Sequence, residues 1–324
     1  MMNRFCAALL TVVAAIAVTS CVRVKAPATK PAETPPGATL WERPDDLATR
    51  DLFYGPWGRE HAPDPSAIYT LVERKHTGVN PGMTVVDPEG REWSVKQPPP
   101  GHFDSEAPVE VALSRLLSGI GYHQPPAYIL PSFTLKDDWG THTEPGGRFR
   151  PKEKTLDSKG EWSWQDNPFI GTRQFGGLLT LMMMFNSTDL KDSNNSLYER
   201  KNGNRVELWY VARDLGAALG DRHRLSPRKG DPDAFERMPY IHGIQNGHVR
   251  FAYNGWYKRL VQDRVTPEDV AWVSNLLAQL SDRQWQDAFR AGGFEPAVAN
   301  RYIRKLREKV EQGRALTRTA AAIR

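Results

Sequence analysis

Cysteine is nearly absent from this chain: 324 residues contain two, Cys6 and Cys21, both near the start. Nothing after residue 21 can therefore join a disulfide with a later cysteine or hold a metal through thiolates. Long apolar runs are missing as well. Beyond residue 21 the best stretch, Leu178–Phe185, is far shorter than the roughly 20 residues that cross a bilayer as a helix. Several catalytic signatures are lacking. There is no His-Glu-x-x-His and the eight histidines are scattered, which removes the usual zinc hydrolase arrangement. No Gly-x-Ser-x-Gly elbow occurs. A calcium loop begun at Asp192 would need glycine where Leu197 stands and an acid where Gly203 stands. No internal repeat is evident. The net charge of +5 is modest and widely spread; its densest basic run, Arg222–Lys229, reads as a solvated loop. A nucleic-acid partner, which needs a concentrated basic face, is not expected.

What is present begins at the N-terminus. Arg4 precedes an uncharged run, Ala7–Val18, too short to span a bilayer but suited to the apolar core of a secretory signal. Small residues then lead to cysteine. Val18-Thr19-Ser20-Cys21 resembles the lipobox of bacterial lipoproteins. That resemblance implies a signal peptide over 1–20, cleavage, and lipid on Cys21. It also implies a lipid-anchored place in the cell envelope, at the outer membrane facing the periplasm because Val22 is not aspartate. Residues 21–60 are expected to be tether and lead-in. Pro27, Pro31, Pro35 and Pro36 make the first part a semi-extended spacer.

The remainder divides into two zones, 61–135 and 136–324, of α+β character. In the first, Ile68–Lys75, Met83–Val86 and Arg91–Gln97 read as strands, with Asp87-Pro88-Glu89-Gly90 a tight turn between the last two. A helix is expected over Pro108–Ser118, begun by Ser105 and ended by Gly119 and Gly121. Pro126–Leu130 reads as another strand, and the polar, glycine-rich stretch from Gly140 to Asn167 as irregular. In the second zone Gly171–Phe185 is apolar on nearly every face and should be a buried helix. A polar string, Asn186–Asn195, follows. Ser196–Arg200 and Arg205–Arg213 flank Lys201-Asn202-Gly203-Asn204, a strong hairpin signal. Only helices are expected after Gly216, over Pro267–Leu280, Asp282–Ala291 and Pro296–Gln312.

The polar residues of this second zone carry a pattern. Thr188-Asp189-Leu190-Lys191-Asp192-Ser193-Asn194-Asn195 resembles the catalytic loop of the protein-kinase fold, and Asp214-Leu215-Gly216 after the strand Leu208–Val211 resembles its metal-binding element. Trp93-Ser94-Val95-Lys96 is similar to the strand that carries the fold's lysine, and Glu110 sits where the helix partner should be. The match is to atypical, kinase-like proteins of the HipA, CotH and secreted-kinase type. The loop His76–Gly82 has no Gly-x-Gly-x-x-Gly, no His-Arg pair precedes Asp189, and no Ala-Pro-Glu follows Asp214.

The resemblance implies a two-lobed kinase-like fold, with a small β-rich N-lobe and a mostly helical C-lobe. It implies a metal-dependent transferase using ATP or another nucleotide. Lys96 would bind its phosphates, with Glu110 holding the ammonium. Asp214 and Asn194 would hold Mg2+ or Mn2+ through hard oxygens. Asp189 would orient an acceptor hydroxyl on a protein or small molecule, and Lys191 would neutralise the transferring phosphoryl group. The alternative is an inactive, pseudokinase-like lipoprotein acting as a scaffold.

Overall fold

Residues 32–75, 82–98, 106–221, 229–253, 255 and 257–322 are described in the computed structural model. The signal segment, Cys21, Ser105, most of the His76–Gly82 loop and the run 222–228 lie outside them.

The chain enters through β1 (Ala38–Thr39), whose short parallel pairing is described with the later strands. The first half is then governed by alternation. In β2 (Ile68–Lys75), β3 (Gly82–Val86) and β4 (Glu92–Lys96), Tyr69, Met83, Val85, Trp93 and Val95 point inward. Glu92, Ser94 and Lys96 alternate outward, as a period of two requires. The β3–β4 turn is held by Asp87, which accepts from the Arg91 amide at 2.7 Å and the buried Trp93 Nε1 at 2.9 Å. Helix α1 (Glu106–Gly119) follows. Then come β5 (Tyr128–Asp137) and β6 (Gly140–Pro151), and the strands close into a barrel in the order β2-β3-β4-β6-β5. Closure leaves no edge to template pairing with another chain.

Here the structure departs from the sequence expectation. The stretch from Gly140 is not irregular: β6 pairs with both β5 and β4, and β7 (Leu156–Gly160) follows. The glycines that suggested a loop serve close backbone approach. A Cβ on Gly146 would lie 2.0 Å from Leu130 O, and one on Gly147 2.4 Å from Lys96 O. A boundary at 135 would consequently cut β5, and the strand-rich part runs to Pro151. The lead-in also folds. β1 pairs in parallel with a later strand, Thr39 against Trp209, and Leu40, Leu47 and Leu52 are buried in the larger core.

The second half is built around α2 (Arg173–Met184), capped by Thr172 Oγ1 and buried from Phe175 onward. Strands β8 (Asn195–Asn202) and β9 (Arg205–Ala212) form the expected hairpin and complete a sheet ordered β1-β9-β8-β7. A short α3 (Pro232–Arg237) precedes a second hairpin, β10 (Ile241–Gln245) and β11 (His248–Phe251), which corrects the expectation of helices alone. Its turn is Asn246-Gly247, both with positive φ (52° and 76°), the conformation that favours Asn-Gly. The arms of this hairpin are too polar to show an apolar alternation. Helices α4 (Lys258–Val261), α5 (Pro267–Leu277), α6 (Asp282–Ala291) and α7 (Pro296–Ala322) close the domain. Capping boxes at Thr266/Asp269 and Ser281/Gln284 start α5 and α6. On α7, the buried Lys309 donates to Met184 O at 2.8 Å, tying α7 to the last turn of α2. The architecture is mixed α+β, strand-rich first and helical second, with one apolar core inside the barrel and a larger one around α2.

Candidate active site

Five pieces of chain meet at a cavity of about 100 Å³: the end of β4, the start of α1, the loop after α2, the segment after β9, and Lys229 just before α3. The post-α2 loop is stitched to the post-β9 segment by backbone geometry. Asn186, at φ 53°, donates from its amide to Gly220 O at 2.6 Å. The Thr188 N–H and hydroxyl both donate to Ala217 O, at 2.8 and 3.0 Å, and the Leu219 N–H reaches Phe185 O at 2.9 Å. Within the loop Asn194 Nδ2 donates to Asp189 O at 2.7 Å. The Arg213 N–H then meets Asn194 O at 3.1 Å, just before Asp214.

Each residue of Asp214-Leu215-Gly216 has a separate task. Asp214 lines the cavity with φ 52°, a left-handed backbone in which Asp is among the less costly residues. Leu215 is anchored in the larger core. Gly216 lies against the first residue of α1, where a Cβ would be 2.7 Å from Glu106 O. No larger residue fits there without pushing α1 away.

The cavity brings together Lys96, Glu110, Asp189, Asn194 and Asp214. Lys191 is not part of the lining: its side chain is 58% exposed and pairs with Asp189 at 3.0 Å. The expected partner of Lys96 is also corrected. Its ammonium is 3.4 Å from Glu106, one turn before Glu110, and the other Glu106 oxygen takes Lys229 at 2.5 Å. Glu110 is held instead by Arg148 at 2.7 Å and Arg150 at 2.6 Å. The register explains the exchange. Lys96 faces Arg148 and Ser94 faces Arg150 across β4 and β6, so three cations from two strands confront the carboxylates of α1.

Electrostatics follow from these contacts. Burial opposes ionisation of Glu106, but Lys229 and Lys96 outweigh it and hold the carboxyl below its ordinary range. Burial works more strongly against Glu110, yet Arg148, Arg150 and nearby Lys96 bring it down to about 2. Burial, with Arg148 and Arg213 close by, lowers Arg150 to about 9. Tyr257 is pushed up to about 12 by burial and by the charges of Asp189 and Asp192, which marks it as a neighbour of the loop. Glu106, Lys229, Arg148 and Arg150 were not among the sequence candidates. The arginines lay in a stretch read as irregular, and Lys229 at the end of a run read as solvated. Glu106 had one usable signal, an acid at the start of a helix.

Glu110→Gln should test this ion cluster. It leaves the buried Arg148 and the half-buried Arg150 without their carboxylate, which costs roughly 3–5 kcal/mol. A folded value below the ordinary one means that the carboxylate stabilises the protein above the ordinary glutamate pKa. That contribution is lost as pH falls through about 2. Urea denaturation should thus show a parent–variant gap at neutral pH that narrows towards pH 2; equal stability at pH 7 would contradict the assignment.

No family model and no curated protein matches the chain. Among solved structures it is similar to the proinflammatory kinase CtkA of Helicobacter pylori, at 10% identity and a TM-score of 0.40 over 78% of this chain and 98% of that one. It is similar to the Rio2 kinase of Chaetomium thermophilum, solved with ADP, Mg2+ and phosphoaspartate, at 15% identity and a TM-score of 0.32 over 75% and 72%. A Golgi casein kinase, also solved with Mn and ADP, shows 11% identity and a TM-score of 0.36 over 84% and 73%.

Proposed function

We propose that the chain is a kinase-like, metal-dependent phosphotransferase that uses a nucleotide and is carried to the cell envelope on a lipid anchor. What supports this reading is the convergence on one cavity of a strand lysine, Lys96, with Asp189 and Asn194 of the loop after α2 and Asp214 of the segment after β9. Phosphoryl transfer asks the protein mainly for positioning and charge neutralisation. Lys96, steadied by Glu106, holds phosphate oxygens. Asp189 orients the acceptor hydroxyl and accepts its proton. Lys191 sits beside Asp189 rather than in the lining, so its part is to balance that carboxylate's charge.

The donor set suits magnesium or manganese. Asp214 offers a carboxylate, and Asn194 spends its N–H on Asp189 O, leaving its amide oxygen for a cation. Among the described residues no three His, Cys, Asp or Glu side chains form a closed metal cage. One or two carboxylates with nucleotide phosphates and water are the usual holding of magnesium. Bound there, the ion would neutralise charge on the phosphates.

Thermal unfolding with ATP and Mg2+ or Mn2+ tests the reading. A hundredfold excess over Kd should stabilise the protein by about 2.7 kcal/mol, and labelled phosphate should pass to an acceptor or to the chain itself. No stabilisation would overturn the nucleotide site. Stabilisation without transfer to a broad acceptor panel would instead favour the scaffold.

The anchor rests on Val18-Thr19-Ser20-Cys21, and the outer-membrane location on Val22. No helix among the described residues is long and apolar enough to cross a membrane. Cys21→Ser should release the protein from the membrane fraction and remove its lipid. A variant that fractionates and migrates like the parent would refute the anchor.

A further inference from the structure

Lys229 belongs to the site although nothing in its sequence surroundings points there. It bridges to a glutamate 123 positions away, on the first turn of α1. Its place is set by the two residues that follow it. The Gly230 N–H donates to Ala218 O at 2.9 Å, fastening it to the segment that carries Asp214. Asp231 then caps α3, accepting from the Ala234 N–H at 2.9 Å. Lys229 is thereby presented from the helical half of the molecule, opposite Lys96 on the barrel.

Glu106 joins the two. One oxygen takes Lys96 at 3.4 Å and the other takes Lys229 at 2.5 Å, so a single carboxylate spaces a pair of ammonium groups. Glu110, which could have cancelled the second charge, is occupied by Arg148 and Arg150. Lys96 and Lys229 bring two ammonium groups to the cavity on either side of Glu106, while Asp189 and Asp214 bring carboxylates to the same cavity. A metal–polyphosphate needs that division: oxygens against cations, metal against carboxylates. The loop His76–Gly82 has no Gly-x-Gly-x-x-Gly, and among the described residues Lys96 and Lys229 are the lysines that line the cavity.

We infer that Lys229 and Lys96 form a two-sided clamp for a nucleoside polyphosphate, with Glu106 as the spacer that sets the two ammonium groups. This rests on the nucleotide-site reading above. The clamp acts on the phosphate chain rather than on the nucleoside.

Calorimetric titration of the full-length chain with ATP, ADP and adenosine, in the presence of Mg2+, tests it. Lys229→Ala should weaken ATP and ADP by about 10- to 100-fold, the worth of one charge-assisted hydrogen bond, and leave adenosine unchanged. Lys229→Arg should restore most of the loss. The clamp is overturned if Lys229→Ala binds ATP as well as or better than the parent while Asp214→Ala still loses it; in that case the nucleotide site stands and only Lys229 falls. An equal loss for ATP and adenosine, or a lowered melting temperature that accounts for the loss, would reduce Lys229 to a structural tie. A parent that binds no nucleotide would overturn both readings together.

Discussion

Asp214→Ala is expected to abolish metal-dependent nucleotide binding. The carboxylate stands at the cavity, carried on a turn whose neighbour Leu215 is buried and whose Gly216 abuts α1, so its place is rigidly set. A divalent ion held by Asp214 and Asn194 loses its only formally charged ligand of the two. Since even outer partners of a metal ligand are worth 10- to 100-fold in affinity, the metal-dependent part of nucleotide affinity should drop roughly 100-fold or more. The alanine also has to adopt φ 52°, which costs about 1 kcal/mol on its own. Asp214→Asn separates the two effects, because asparagine tolerates that backbone. The asparagine variant should melt like the parent and still lose metal-dependent binding. Titration with ATP in the presence of Mg2+ or EDTA makes the measurement. If parent and both variants bind alike with metal present, Asp214 has another role. Asn194→Ala should weaken binding less, as a neutral amide contributes less to a divalent cation.

Turnover, rather than binding, is the quantity that Asp189→Asn should change. Asp189 lines the cavity, its carbonyl is fixed by Asn194, and its partially exposed carboxylate is shared with Lys191. An exposed pair of that kind contributes little to stability, so the amide should leave the melting temperature and the ATP affinity close to the parent's. General-base assistance is worth about 10²–10⁴-fold, and transfer of labelled phosphate should fall by that order. The opposite pattern, unchanged transfer in Asp189→Asn with a loss of about 1 kcal/mol in stability for Asp189→Ala, would make Asp189 a loop cap.

Local rules carried much of the fold. The Asn-Gly hairpin at 202–203 was legible because its turn needs positive φ and its arms alternate; its twin at 246–247 offers the same dipeptide but polar arms, and went unread. The serine and threonine that cap α5 and α6 mark helix starts within one turn, and α2 announces its burial by being apolar all round. Gly146 and Gly147 misled, since a glycine that admits a neighbouring strand is indistinguishable in sequence from one that makes a loop.

The sequence by itself determined which residue types exist to do chemistry and the order in which their elements follow: a strand lysine, a helix with acids, then Asp189, Asn194 and Asp214. Those are properties of spacing along the chain. Only the tertiary structure decided the pairings among them. Glu106 and Glu110 stand one helical turn apart on the same face of α1, so spacing alone cannot choose between them as the partner of Lys96. The choice was made across the barrel, where β6 sets Arg148 beside Lys96 and its Nη1 reaches both oxygens of the buried carboxylate, with Arg150 Nη2 on one of them. Glu106 is left to Lys96 and to Lys229, which arrives from the other half of the molecule because the turn after β9 folds back against α1.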